Sequence, residues 1–158
     1  MASNMEPLDL TARPPRSPYQ KTEGLFMVPR TIDKLRAKLP GGKIGGYTIR
    51  GMSTALPGLS LVLLDGIGVP EERLLEVVAG ASVEDEVAQW FRQNTNLSQT
   101  EALNAELQGR RIEDVLAILP LATVIKVYPF VQEMVKTTPM FDVLLADDRL
   151  LFPNHVSS

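Results

Sequence analysis

The chain contains no cysteine. That excludes disulfides, thiolate nucleophiles and cysteine-held zinc, and it suits a reducing compartment. Histidine is almost as scarce. The single one, His155, lies near the C-terminus, where chains tend to be loose, so it is expected in solvent. A Ser-His-Asp triad or a histidine metal site is accordingly not expected. No cofactor and no metal are implied by any motif. A membrane span is not expected either, because the longest apolar stretch, Val115–Val131, is interrupted by Pro120, Lys126 and Pro129. The first residues carry Glu6 and Asp9 and no apolar run, unlike a signal peptide. The sequon Asn96-Leu97-Ser98 is then read as accidental, and the expected location is the cytoplasm. Aromatic residues make up only 6% of the chain, and Tyr19, Phe26 and Tyr47 are not interleaved with the basic residues as base-stacking platforms would be.

The glycines are arranged without a phosphate-loop pattern. Gly41-Gly42-Lys43-Ile44-Gly45-Gly46 lacks the Walker spacing and the Ser/Thr after lysine. Gly66-Ile67-Gly68 lacks the third glycine of a dinucleotide fingerprint. Both read as helix stops and turns. No repeat of 20–50 residues is visible.

What is present points to one mainly α domain over residues 1–158. Residues 1–24 form an extended, proline-rich arm with Pro7, Pro14, Pro15 and Pro18, stiff enough to lose little entropy on docking. Residues 25–51 hold a basic helix, Pro29 to Leu39, whose Ile32, Leu35 and Leu39 share one face. Gly41 and Gly42 are expected to stop it. Tyr47–Arg50 is expected to pair with residues 25–28 as a small β-hairpin.

Residues 57–108 read as a helical body. Its helices include Leu59 to Leu64, one opened by Pro70-Glu71-Glu72, and one capped by Ser82. A further helix starts at the capping box Ser98-Gln99-Thr100-Glu101. Residues 109–150 are an apolar C-terminal helical section broken at its prolines. Its last helix runs from Met140 to about Ala146, before Asp147-Asp148-Arg149 and a loose tail.

Charge is divided along the chain. Residues 1–60 carry nine Lys and Arg against four acids, a net +5; residues 61–158 carry seven against fifteen, a net −8. The basic half either docks on acids of the same molecule or offers an anion-binding face. The candidate anion set is Arg13, Arg16, Arg30, Lys34 and Lys38, with Arg30, Lys34 and Lys38 spaced i, i+4, i+8 as a stripe. Arginine grips phosphate or carboxylate at two points and lysine adds mobile charge. Asp33 beside them is the candidate acid/base. Pro15-Arg16-Ser17-Pro18 also has the spacing of a polyproline ligand, though a docked structural arm is the simpler reading.

The ordered run Asp9-Leu10-Thr11, Arg13-Pro14-Pro15-Arg16-Ser17-Pro18, Pro29-Arg30, Ile32-Asp33-Lys34, Arg36-Ala37-Lys38 and Gly46-Tyr47 resembles a bacterial family, domain of unknown function 5069. The resemblance is best over residues 9–51 and compatible to about 108, with the C-terminal section read as an extension. It implies a bacterial, intracellular protein whose arm and first helix are the defining unit, and no particular activity. Members of that family place a Cys-Pro pair near Met52-Ser53 of this chain, so any role of that cysteine is absent here.

Three functional readings follow. The first is a non-enzymatic binding or interaction domain that self-associates through residues 115–131 as a homodimer. The second is a small enzyme or binding protein for an anionic ligand, using the N-terminal arginines. The third, nucleic-acid binding, is disfavoured by the net charge of −3.

Overall fold

The computed structural model describes residues 4–51 and 53–155. Three positions of the expected arm, Met52, and the last three residues of the expected tail lie outside these. The chain is mainly helical, as its periodicities require, with one small hairpin. That hairpin is not the one expected. Strand β1 (Lys21–Thr22) pairs antiparallel with β2 (Leu25–Phe26), with Lys21 opposite Phe26 and Thr22 opposite Leu25. The turn residues Glu23 and Gly24 both have positive φ, 52° and 81°, the requirement of a two-residue hairpin turn. A local turn closes with less entropy loss than a pairing to residues 47–50, which lie some twenty positions away.

Helix α1 (Val28–Arg36) begins with Pro29 in its first turn and is the centre of the molecule. Every residue from Val28 to Leu35 is buried, polar ones included. It ends at Arg36, before the glycines that were expected to stop it. Gly42 instead serves the turn that follows, where a side chain would run into the Ala37 carbonyl. Lys38 therefore leaves the stripe that Arg30 and Lys34 begin.

Helix α2 (Leu59–Ile67) runs past Asp65-Gly66 to a left-handed cap at Gly68. Helix α3 (Glu71–Gly80) opens with two acids and buries Leu74 and Val78. Helix α4 (Glu84–Asn94) buries Val87 and Phe91, but its cap is Val83, not Ser82, and Val83 is exposed. The expected capping box does not form. Asn96 caps a short 3-10 turn, Leu97–Gln99, and α5 (Thr100–Gly109) continues from it, burying Leu103 and Leu107. The apolar stretch breaks at its prolines as expected, into α6 (Ile112–Leu116), α7 (Leu121–Val127) and a 3-10 turn, Pro129–Glu133. Helix α8 (Met140–Leu151) is longer than expected and carries Asp147, Asp148 and Arg149 within it.

One hydrophobic cluster draws on residues from Met5 to Val143, including Ile32, Leu63, Phe91, Leu107, Val124 and Phe141. Helix α1 packs on α2 and α3 within it. The arm is docked. Leu8 and Leu10 are buried with Ala37 in a second small cluster, and Asp9 bridges to Lys43 in parallel. Backbone bonds from Leu8 to Arg36, from Lys43 to Leu8 and from Leu10 to Lys43 hold it there. An extended segment with no helix of its own must find such partners to be buried.

Candidate functional site

The six candidate residues do not form one face. Arg13, Arg16 and Asp33 line an outer cleft of about 350 Å³ between the arm and the end of α8, with Arg36, Glu84, Asp148, Arg149 and His155 also on its wall. Arg30 and Lys34 line a separate inner pocket of about 140 Å³. Lys38 lines neither; its Nζ donates to Glu71 Oε2 at 2.7 Å.

In the outer cleft the arm arginine is already occupied. Arg16 donates from Nε and Nη2 to Asp33 and from Nη1 to Glu84 Oε2 at 2.8 Å, and its backbone N–H donates to Asp33 Oδ2 at 2.8 Å. Asp33 is thus bonded at both oxygens to a guanidinium, the arrangement of a counter-ion. His155 reaches the cleft wall while exposed.

The inner pocket is built by α1, loop residues 46–51 and 56–58, and the C-terminal helices. Glycine makes that loop possible. Gly51 has φ +92°, and a Cβ there would sit 2.4 Å from the backbone nitrogen of Gly58, so the two strands of the loop touch backbone to backbone. Leu59, Val115, Met140 and Leu144 give the pocket an apolar lining. Arg30, Lys34, Tyr47, Arg110, Tyr128 and Asp147 supply its polar groups. A small apolar cavity with a few convergent polar groups is the usual form of a ligand site.

Between the two cavities stands a buried ion pair. Arg30 Nη1 donates to Asp148 Oδ2 at 2.7 Å and Nη2 donates to Asp148 Oδ1 at 3.1 Å. Tyr47 donates its hydroxyl to Asp148 Oδ1 at 2.8 Å and sets its ring 5.6 Å from the guanidinium carbon. Burial first, then the Asp148 charge, raises the Tyr47 hydroxyl well above its ordinary range. Arg30 Nη1 also donates to the Arg16 carbonyl at 3.2 Å, which ties the arm to the pair. Consecutive helix residues point about 100° apart. Asp148 accordingly lines the outer cleft and Asp147 the inner pocket.

Two groups in the inner pocket are not satisfied by this network. Arg30 is 1% exposed, yet its Nε has no hydrogen-bond partner among the described residues. Lys34 is buried, and its Nζ donates to the Thr48 carbonyl at 3.0 Å and to Ser60 Oγ at 3.2 Å, neither of them a carboxylate. Burial lowers the Lys34 ammonium to about 7, and the neighbouring Arg30 charge adds to the effect. Asp147 is pushed the other way, to about 6, by burial and then by Asp148. Burial raises Tyr128 to about 12. No group of three His, Cys, Asp or Glu side chains among the described residues is placed to hold a metal.

A family model for a domain of unknown function, DUF5069, matches residues 12–142. The chain belongs to this family. The match extends into the C-terminal section, so that section is part of the family's domain and not an extension of it. It includes Arg30, Lys34, Tyr47, Arg110 and Tyr128 and stops before Asp147 and Asp148. Comparison with curated proteins finds no match.

Of the six polar groups of the inner pocket named above, the sequence singles out two, Arg30 and Lys34. Asp147 and Asp148 were placed after the last helix, although Met140, Val143 and Leu144 continue at helical spacing to Leu151. Tyr47 had been noted only as a scattered aromatic. Arg110 and Tyr128 carried no local signal.

Proposed function

We propose that this chain is a binding domain for a small organic anion held in the inner pocket. The observation that carries the reading is a pair of buried cations, Arg30 and Lys34, lining one cavity, with Arg30 Nε unpartnered among the described residues. Burial of Arg30 and Lys34 also removes the flat positive face that nucleic-acid binding on α1 needs.

Thermal shift against inorganic phosphate, acetate, pyruvate and succinate tests this. One anion should raise the melting temperature, by roughly 2.7 kcal/mol of stability at a hundred times Kd. Leu144→Trp, which fills the pocket, should abolish the shift. The shift should also survive added salt, because a buried site is screened little, whereas binding at exposed Arg13 would fade. If no anion stabilises the protein, the reading is lost.

We also propose, as a separate reading, that two copies associate through residues 115–131. Val115, Leu119, Val124 and Val131 are buried in the core, but Ile118, Leu121 and Val127 remain 41–50% exposed on the same segment. A homodimer in sedimentation supports the reading, and a monomer at every concentration rejects it. Absence of cysteine supports a cytoplasmic setting. No helix among the described residues is long and apolar enough to cross a membrane.

A further inference from the structure

We propose that the inner pocket takes a short 2-oxo acid and that Lys34 joins it as an imine. The inference rests on the anion-binding reading and adds a substrate class and a covalent step to it.

The placement of Arg30 and Lys34 is the first argument. They are one helical turn apart on α1 and line the same cavity. Side chains at i and i+4 start about 5–6 Å apart and lie on one face. A 2-oxo acid carries its carboxylate and its carbonyl on adjacent carbons. A carboxylate drawn towards the buried Arg30 charge therefore brings the neighbouring carbonyl carbon towards the Lys34 amine.

The state of Lys34 is the second. A buried ammonium normally needs a carboxylate partner. Lys34 has a backbone carbonyl and a serine hydroxyl instead. Those two bonds use both hydrogens of a neutral amine and leave its lone pair uncommitted, and the lowered basicity agrees with that state. Desolvation beside a second cation is a known way to activate a lysine amine.

Size is the third. A cavity of roughly 150 Å³ accepts a six-carbon ring. The inner pocket, at about 140 Å³, matches a ligand of about six heavy atoms. Leu59, Val115, Met140 and Leu144 suit a short aliphatic tail.

The step balances without a further reactant. The Lys34 lone pair bonds to the carbonyl carbon, and the carbonyl π pair moves to oxygen. Both amine hydrogens pass to that oxygen, which leaves as water as the carbon–nitrogen double bond forms. Ser60 Oγ, released from its lysine donor, is free to turn its own hydrogen towards the imine nitrogen. Thr31 Oγ1, 2.9 Å away, can then donate to Ser60 in its place.

The test uses the full chain and pyruvate as probe. The protein is incubated with pyruvate and cyanoborohydride, digested, and mapped by mass spectrometry, with melting temperature measured in pyruvate alone. The expected result is a reduced adduct on Lys34 that forms at least tenfold faster than on Lys21, Lys38, Lys43, Lys126 or Lys136. Lys34→Met, checked for a native melting transition, should lose that adduct and leave the slow surface reaction unchanged. The wild-type map decides the matter even if the variant does not fold. Pyruvate that raises the melting temperature with no adduct on Lys34 overturns the imine and leaves anion binding standing. No adduct and no thermal shift with pyruvate overturns the imine, and the anion-binding reading falls with it only if phosphate, acetate and succinate also fail to stabilise the protein. Modification spread evenly over the surface lysines, with Lys34 unreacted, also overturns the proposal.

Discussion

Arg30 and Asp148, 118 positions apart, meet in a two-point ion pair at 2.7 and 3.1 Å, with Arg30 1% exposed and Asp148 6%. The pair joins the central helix α1 to the last helix α8 and separates the outer cleft from the inner pocket. It also fixes Arg30, engaging both tips of the guanidinium and leaving Nε without a partner among the described residues. Tyr47 completes the arrangement from the loop.

Removing one partner of this pair should be far more harmful than removing the tyrosine hydroxyl. Asp148→Asn leaves a buried guanidinium without its counter-charge, a loss of about 3–5 kcal/mol. Tyr47→Phe removes one hydrogen bond, a loss of about 1–3 kcal/mol. Urea unfolding of the two variants and the double variant checks this. The double variant should fall short of the summed losses, because the residues share Asp148 Oδ1. Strict additivity would mean that the hydroxyl and the ion pair do not act together.

Stability should rise with pH between about 7 and 9. In the native state Lys34 gives up its proton near 7, against 10.5 ordinarily, so the unfolded chain binds more protons through this window. The slope reaches at most about 1.4 kcal/mol per pH unit, roughly 3–6 °C in melting temperature. The other groups that face the pocket titrate elsewhere. Asp147, raised to about 6, makes stability fall as pH rises through the acid range below that value. Tyr128, raised to about 12, acts only above pH 10. Lys34→Met should flatten the curve between pH 7 and 9. Parallel curves for wild type and variant would show that Lys34 stays charged in the fold.

Deletion of residues 1–18 should lower the melting temperature by well over several degrees. The segment contributes Met5, Leu8 and Leu10 to buried clusters and Arg16 to Asp33 and Glu84. Leu10 is 1% exposed, and Leu10→Ala alone should lose about 2–5 kcal/mol. Calorimetry of both variants measures this. An unchanged transition after deletion would make the arm a free appendage.

Two glycine substitutions should behave oppositely. Gly51→Ala meets both a positive φ and the Gly58 backbone, so the loop over the inner pocket must shift, and a loss of about 1–3 kcal/mol is expected with any pocket ligand bound more weakly. Gly80→Ala meets open space at the end of α3 and should be neutral or stabilising by about 0.5–1 kcal/mol. Comparable melting temperatures for the two variants would show that the loop adjusts without strain.

The amino-acid sequence by itself determined the helical class, the breaks at Pro120 and Pro129 and the family, because hydrophobic spacing, prolines and ordered motifs are local properties. Its errors were local too. Gly41 and Gly42 suggested a helix end that Arg36 reaches earlier, and Tyr47–Arg50 suggested a strand where a loop lies over the inner pocket. Tertiary structure decided what the basic residues do. A stripe at i, i+4, i+8 looks the same in sequence whether it faces solvent or the core. Here α1 is buried on all sides, so Arg30 and Lys34 point inward, while Arg16 closes on Asp33 and Lys38 on Glu71. The partner that balances Arg30 comes from a helix 118 positions away, and no window of sequence contains both. Whether a cation binds solvent, a counter-ion or a ligand depends on which distant groups the packing brings within about 3 Å of it.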